Sequence, residues 1–140
     1  MKNGGAPMLV RAWMTTDPVC VPSSTPLIEA YRIFREYEIR HLPVVDGGQV
    51  VGMITDHDLG RAVLEAVGTE GSPRRTVFDA MSHPVQSIGP DDVIEHAAML
   101  MHNLKLGGLP VVDENGHLLG ILTIQDLLEV LIAELAKQHS

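Results

Sequence analysis

The chain has 140 residues, of which 45% are apolar, and it carries a formal net charge of −8. Its ten Lys and Arg residues are scattered, so the sequence offers no basic patch for nucleic acid or for an anionic membrane. One cysteine excludes an internal disulfide, and neither a membrane span nor a signal peptide is found. We therefore expect a cytoplasmic globular protein with a flexible N-terminus over residues 1–8.

The first half of the chain predicts the order strand, helix, strand, turn, strand, helix. A short strand is expected in PVCVP, around Cys20, and Thr25 followed by Pro26 is typical of a helix start. The helix that follows is apolar on one face, at Leu27, Ala30, Tyr31 and Phe34. The strand LPVVD, a turn at Gly47 and a second strand then form a hairpin, and a helix runs from just after Thr55 to about Val67.

The second half repeats this pattern. LPVVD at Leu42 to Asp46 recurs letter for letter at Leu109 to Asp113, 67 residues later. The same shift carries the apolar helix face onto Ile94, Ala97, Ala98 and Met101. Asp92 with Glu95 predicts the start of this helix, PVQSI predicts the first strand, and the final helix is expected to reach about Lys137.

The repeats set the predicted domain organisation. Residues 9–67 form the first β-α-β-β-α repeat, Gly68 to Thr76 form a linker rich in Gly, Ser, Pro and charge, and residues 77–140 form the second repeat with a C-terminal helix. A repeat of roughly 60 residues buries little surface alone. We therefore expect an α/β (α+β) fold in which the two repeats pack with pseudo-two-fold symmetry.

The most informative shared motif is Gly-x-x-Thr-x-x-Asp-Leu, with its threonine and aspartate at Thr55 and Asp58 and again at Thr123 and Asp126. In both copies the threonine ends a strand and the aspartate falls in the first turn of a helix. One interpretation is a capping box that stabilises the helix by ~1 kcal/mol. The other is a ribose phosphate site, because a helix N-terminus suits phosphate and a carboxylate accepts hydrogen bonds from vicinal hydroxyls.

These signatures, together with VRAWMTTDPV and VFDAMSHPV, make the sequence similar to the CBS (cystathionine-β-synthase) domain pair, or Bateman module, over Leu9 to about Leu131. The resemblance implies a stand-alone, non-catalytic module for energy sensing that needs no cofactor. Such a module binds AMP, ADP, ATP or S-adenosylmethionine in clefts between the repeats and regulates a partner. The alternatives are a structural homodimerisation module with vestigial clefts and an enzyme that acts on a nucleotide.

The resemblance also implies the residues of each cleft. In the first cleft, Thr123 and Asp126 face Arg40 and His41, which precede the LPVVD strand of the other repeat. Thr15 or Thr16, which follow Met14, complete this cleft. The second cleft joins Thr55 and Asp58 to Gly107, Gly108, and Ser82 or His83. Residues around Cys20 and around Val85 to Ser87 are expected to flank the base. Charged phosphates should prefer the first cleft, which offers a guanidinium and an imidazole.

Other chemistry is less well supported by the sequence. The seven histidines lack metal-ligand spacing, and Cys20 is expected to be a buried, unreactive thiol. We expect no general base, metal or electrophilic partner to act together with the Thr and Asp pairs, which argues against an enzyme. Leu, Met and Ile are abundant in the helices that begin near Ile94 and Asp126, so a homodimer is expected.

Overall fold

The computed structural model describes residues 8–66 and 75–139, which form six helices and five strands. The helices are α1 (Val10–Trp13), α2 (Leu27–Tyr37), α3 (Asp56–Ala66), α4 (Val77–Ala80), α5 (Ile94–Leu104) and α6 (Ile124–Gln138). The strands are β1 (Thr15–Thr16), β2 (His41–Asp46), β3 (Gln49–Thr55), β4 (Gly108–Val112) and β5 (Leu118–Thr123). The mixed α/β class and the four long helices predicted from the sequence are confirmed, whereas α1, α4 and β1 were not predicted.

The chain forms two compact units that differ in composition from the sequence repeats. Unit 1 contains Met1–Asp17, Gln86–Asn115 and Leu119–Ser140, and unit 2 contains Pro18–Val85 and Gly116–Leu118. The segment that carries VRAWMTT thus folds with the second repeat, and the segment that carries VFDAMSH folds with the first. The predicted flexible terminus and linker lie mostly outside the described residues, and the predicted repeat boundaries stay predictions.

Unit 2 is built on the antiparallel hairpin of β2 and β3, in which Leu42 lies opposite Ile54 and a bulge falls at Val44 and Val45. The hairpin turn holds Gly47 at φ +57° and Gly48 at φ +81°, a left-handed conformation that favours glycine. Its core consists of apolar side chains from the hairpin and the helices: Val21, Leu27, Ala30, Phe34, Leu42, Val44, Ile54, Leu59, Ala62, Val77 and Met81.

Unit 1 is built on a three-stranded sheet in the order β1-β5-β4. The short strand β1 pairs antiparallel with β5, so that Thr15 lies opposite Ile121 and Thr16 opposite Gly120. Its core has the same character as that of unit 2: Val10, Ile88, Ile94, Ala97, Met101, Leu109, Val111, Leu122 and Val130.

The predicted first strands are wrong in extent. Each stretch contributes a single parallel bridge, Val21 to Val44 in PVCVP and Ile88 to Val111 in PVQSI. Prolines on either side of Val21 have no N–H to extend a ladder. The prediction of a buried thiol is also wrong, since Cys20 is exposed. Successive side chains of an extended segment alternate in direction, and Val21 takes the buried side.

The predicted helix caps at Thr25 and Asp92 are wrong as well. Thr25 Oγ1 donates to Pro22 O at 2.7 Å, and Asp92 Oδ2 accepts from Gly89 N at 2.7 Å. Helices α2 and α5 begin one residue later, with no side-chain cap on either. Both polar side chains instead form hydrogen bonds within the turn that precedes the helix. Thr and Asp commonly make such turn contacts, which compete with capping of the helix.

The shared glycine of the Gly-x-x-Thr-x-x-Asp motif is required by a close backbone approach. A Cβ on Gly52 would lie 2.5 Å from Met81 Sδ and 2.9 Å from Ser82 O. A Cβ on Gly120 would lie 2.7 Å from Thr15 O and 2.8 Å from Met14 Sδ. In each unit the methionine-containing segment thus crosses directly over this glycine, and a larger residue would push it away.

Candidate functional site

The first candidate site is the junction between β3 and α3. Thr55 N donates to Asp58 Oδ2 at 3.0 Å, and Asp58 N donates to Thr55 Oγ1 at 3.0 Å. This reciprocal pair is a capping box, and it satisfies two N–H groups at the helix start. The other carboxylate oxygen, Asp58 Oδ1, lies 3.6 Å from Arg61 Nη2.

The second candidate site is the junction between β5 and α6, which has the same box. Thr123 N donates to Asp126 Oδ2 at 2.8 Å, and Asp126 N lies 3.5 Å from Thr123 Oγ1. Asp126 is only 7% exposed. Among the described residues, every hydrogen bond to its carboxylate goes to Oδ2, which leaves Oδ1 available as an acceptor. The capping interpretation therefore holds at both junctions, and it uses one oxygen of Asp126.

The first-turn N–H groups differ between the junctions. In α3, Asp56 N donates to Arg40 O at 3.0 Å and His57 N donates to Asp56 Oδ1 at 2.9 Å. In α6, Ile124 N donates to Gly107 O at 3.0 Å, whereas Gln125 N has no acceptor within residues 8–66 and 75–139. Gln125 N–H in α6 is therefore available as a donor, whereas the equivalent N–H of His57 in α3 is bound by the Asp56 carboxylate.

Arg40 and His41 lie beside the first junction, within unit 2. His41 faces Thr55 across the hairpin, and the Arg40 side chain is exposed. Burial lowers the pKa of His41, the Asp56 carboxylate raises it in part, Arg40 lowers it, and Asp58 raises it. A lowered pKa leaves the imidazole neutral at pH 7, so it can both donate and accept a hydrogen bond.

The remaining predicted residues divide between the units. Thr15 and Thr16 are exposed on β1 beside β5. Gly107 precedes β4 and Gly108 begins it, so unit 1 holds these four residues with Thr123 and Asp126. Unit 2 holds Ser82, which exchanges backbone hydrogen bonds with Met53, and His83, whose ring stacks on Phe78 at 5.2 Å. It also holds the exposed Cys20. The predicted pairing of Asp126 with Arg40 and His41 spans the two units and stays a prediction.

Two residues that shape the first junction were missed in the sequence analysis. Asp56 occupies the N–H of His57, and Arg61 approaches both Asp58 Oδ1 and His57 Nδ1, the latter at 3.4 Å. The signals were present, because TDHD carries an extra acid where TIQD has none and Arg61 follows Asp58 at helical spacing.

Neither a metal-binding cluster nor a membrane-spanning helix is found in the part of the chain that the structure describes. No group of three or more His, Cys, Asp or Glu side chains there could hold a metal ion. No helix there has the length and apolar character to cross a bilayer.

Comparison with known proteins supplies the family context. The sequence model of the CBS domain matches residues 10–65 and 77–133. The chain is 30% identical over 120 residues to L-aspartate semialdehyde sulfurtransferase of Methanocaldococcus jannaschii, which covers 85% of this chain and 22% of that protein. It spans 24% and 55% of the next two curated relatives.

Two solved structures are also similar. The CBS domain pair of protein MJ0100, in complex with 5′-methylthioadenosine and S-adenosyl-L-methionine, superposes with a TM-score of 0.83 at 28% identity, covering 92% of this chain and 99% of that one. CBSX2 of Arabidopsis thaliana, in complex with AMP, gives a TM-score of 0.80 at 28% identity and covers 90% and 97% of the two chains.

Proposed function

The chain belongs to the CBS domain family, and we propose that it is a non-catalytic regulatory module that binds an adenine nucleotide or adenosyl ligand and signals to a protein partner. The similar structures hold AMP, S-adenosyl-L-methionine and 5′-methylthioadenosine, which share an adenosine moiety. AMP, ADP, ATP and S-adenosylmethionine are therefore the candidate ligands. Energy sensing follows if the module distinguishes among the phosphates.

The observation that carries this proposal is the hydrogen bonding at the start of α6. Asp126 Oδ1 is left as an acceptor for the two ribose hydroxyls, and Gln125 N–H is a donor at a helix N-terminus that favours a phosphate. A carboxylate and an anion-binding helix end thus lie within one turn. This is the arrangement that a ribose phosphate requires.

The other residues of the proposed sites follow the family pattern. Arg40 and His41 supply a cation and a neutral donor for the phosphates, and Thr15 or Thr16 and the backbone near Cys20 border the nucleoside. A second, weaker site uses Thr55 and Asp58 with Gly107, Gly108, and Ser82 or His83. Its helix start already carries the Asp56 carboxylate, which repels phosphate.

Equilibrium dialysis with labelled AMP tests the proposal. We expect saturable binding and no turnover of ATP under the same conditions, as for a regulatory module. Mass spectrometry of the small molecule released on denaturing the purified protein identifies the natural ligand. Absence of binding by AMP, ADP, ATP and S-adenosylmethionine at millimolar concentration would contradict a sensing function.

We also propose that the chain forms a homodimer. Leu128, Leu131 and Ile132 on α6 are 45%, 51% and 65% exposed, more apolar surface than a helix of a monomer usually shows. Light scattering should give twice the chain mass of 15.2 kDa. Dimerisation without nucleotide binding would favour the alternative function, a structural homodimerisation module.

A further inference from the structure

A serine and an aspartate hold an extended segment of unit 2, residues 18–25, against the end of β2. Ser23 N donates to Asp46 Oδ1 at 2.9 Å, and Ser23 Oγ donates to Asp46 Oδ2. The hydroxyl and the N–H of Ser23 lower the pKa of Asp46, so the carboxylate is ionised at neutral pH. Hydrogen bonds to an ionised acceptor are stronger than those between neutral groups. We call this pair the Ser23–Asp46 clasp.

Backbone hydrogen bonds attach the same segment to β2 two residues earlier. Val21 N donates to Pro43 O at 3.2 Å, and Val45 N donates to Val21 O at 2.8 Å. Pro22, which lies between the two attachment points, has no N–H to donate. Cys20 directly precedes the first attachment point and is exposed. The clasp is therefore the second of two anchors that fix the path of the chain beside Cys20.

Ser23 also contacts the start of α4. Its carbonyl oxygen accepts from Phe78 N at 3.1 Å. After α4, Ser82 N donates to Met53 O at 2.9 Å and Met53 N donates to Ser82 O at 3.3 Å, which attaches this part of the chain to β3. Because β2 and β3 pair with each other, these hydrogen bonds form a closed circuit through Ser23, α4 and the hairpin. Removal of the Asp46 carboxylate would open the circuit at Ser23.

Unit 1 has the corresponding contact to its first short helix but lacks the clasp. Arg11 N donates to Pro90 O at 2.8 Å, as Phe78 N does to Ser23 O in unit 2. Pro90 has neither an N–H nor a hydroxyl to donate, and Asp113 accepts from Asn115 N in its own turn. A unit of this kind thus folds without a clasp. The clasp in unit 2 is therefore available for a role beyond folding.

We propose that the Ser23–Asp46 clasp positions the segment that borders the nucleoside, so that Ser23 and Asp46 are positioning residues for ligand binding. The proposal rests on the proposed function, in which the backbone near Cys20 lies beside the nucleoside. A segment that is already fixed has less conformational freedom to lose when the ligand binds. The clasp acts on the nucleoside end of the ligand, so its loss should weaken adenosine and AMP alike.

Calorimetric titration of Asp46→Ala tests the proposal. This change removes both acceptors, and we expect the affinity of the tighter site for AMP and for adenosine to fall by the same factor, about threefold to tenfold. Asp113→Ala removes the corresponding carboxylate of the second LPVVD strand and should change either affinity by less than about twofold. A loss for AMP with adenosine unaffected, or no loss for either ligand, would overturn the positioning role.

Three further variants separate positioning from a loss of stability. Ser23→Thr keeps both donors and should bind as the wild type does, whereas Ser23→Ala keeps only the N–H and should give an intermediate loss. Ile54→Val shortens a fully buried side chain of the same hairpin, so it should lower stability without lowering affinity. If Ile54→Val weakened binding as much as Asp46→Ala at an equal loss of stability, the clasp would be structural only.

Amide hydrogen exchange of the ligand-free protein tests the clasp without any ligand. Asp46→Ala should speed exchange at Ser23 N–H and also at Phe78 N–H, while Arg11 N–H in unit 1 should exchange as in the wild type. Unchanged exchange at Phe78 would overturn the circuit. A wild type that binds no adenosyl ligand would overturn the proposed function and the positioning role with it. Wild-type binding that Asp46→Ala leaves intact would overturn the positioning role alone.

Discussion

The two strand-to-helix junctions share Thr-x-x-Asp and the same capping box, yet they differ in what remains for a ligand. At the first junction Asp56 occupies a first-turn N–H and Arg61 approaches the free oxygen of Asp58. At the second, Gln125 N–H and Asp126 Oδ1 have no such partners within the described residues. The junctions therefore differ at the residue after the threonine, where Asp56 supplies an acceptor for a first-turn N–H and Ile124 does not.

The largest effect should come from removing the second carboxylate. We expect Asp126→Ala to weaken the tighter nucleotide site by about 5- to 150-fold, the loss that follows from ~1–3 kcal/mol of hydrogen bonds to ribose hydroxyls. Asp58→Ala is the matched control, since it removes the same cap and should leave that site nearly intact. Calorimetric titration with AMP measures both.

Thermal unfolding of these two variants separates binding from capping. Both should lose ~1 kcal/mol of stability because each loses a capping box. If Asp58→Ala abolishes the tighter site and Asp126→Ala does not, the proposed assignment of the sites is wrong. If both lose only stability, capping is the whole function of the motif.

Replacing the residue after Thr123 by the one that follows Thr55 should give the second junction the weaker phosphate binding expected of the first. Ile124→Asp places a carboxylate where Asp56 stands in the first copy, so it should occupy Gln125 N–H and repel phosphate. We expect AMP affinity to fall by about fivefold, with adenosine nearly unaffected, because one charge at a helix N-terminus contributes about 1 kcal/mol. Ile124→Asn, which is uncharged, is the control. Equal losses for AMP and adenosine would contradict an electrostatic effect.

A smaller, ligand-selective effect is expected at Arg40. Arg40→Ala should weaken ATP and ADP by about threefold to fivefold, because an exposed cation contributes less than about 1 kcal/mol to a charge pair. Adenosine binding should change by less than about twofold, since it has no phosphate. Arg11→Ala is a suitable control, because Arg11 pairs with Asp91 instead. A loss for adenosine as large as for ATP would show that Arg40 does not contact phosphate.

The smallest effect should be a pH dependence of stability. Burial lowers the pKa of His41 below 6.5, so the unfolded chain takes up this proton first as the pH falls. The contribution of His41 is therefore complete above pH 6.5 and decreases between pH 6.5 and its folded pKa. Urea unfolding at pH 7.5 and 5.5 should show a smaller decrease for His41→Gln than for the wild type. An equal decrease in both proteins would exclude His41 as the cause.

Helices, turns and helix caps could be predicted from the sequence, because each depends on residues close together in the chain. The pairing of distant segments could not. The four long helices, the hairpin at Gly47 and both Thr–Asp capping boxes follow from periodicity, turn residues and cap spacing. The predicted extent of the first strands was wrong, because their pairing depends on distant partners and is interrupted by prolines. The membership of Val10–Trp13 in unit 1 and of Val77–Ala80 in unit 2 also depends on contacts that no local pattern encodes.

Identical letters do not guarantee identical roles, as the two LPVVD strands show. Asp46 accepts from Ser23 N at 2.9 Å and from Ser23 Oγ, and these hydrogen bonds lower the pKa of Asp46. Asp113 instead accepts from Asn115 N at 2.8 Å in its own turn. The residue that corresponds to Ser23 in the second repeat is Pro90, which has no N–H or hydroxyl to donate.

Each methionine-containing segment crosses over a glycine of the opposite repeat. This exchange affects which cuts and insertions the chain can tolerate. Each unit is assembled from both repeats, so the stretch of gene that is duplicated differs from the stretch that folds. A backbone cut within residues 67–74 would leave two fragments, and each unit would contain parts of both. We expect these fragments to remain associated after cleavage and to regain structure only when they are expressed together. Insertions between the repeats should therefore be tolerated far better than the loss of either one.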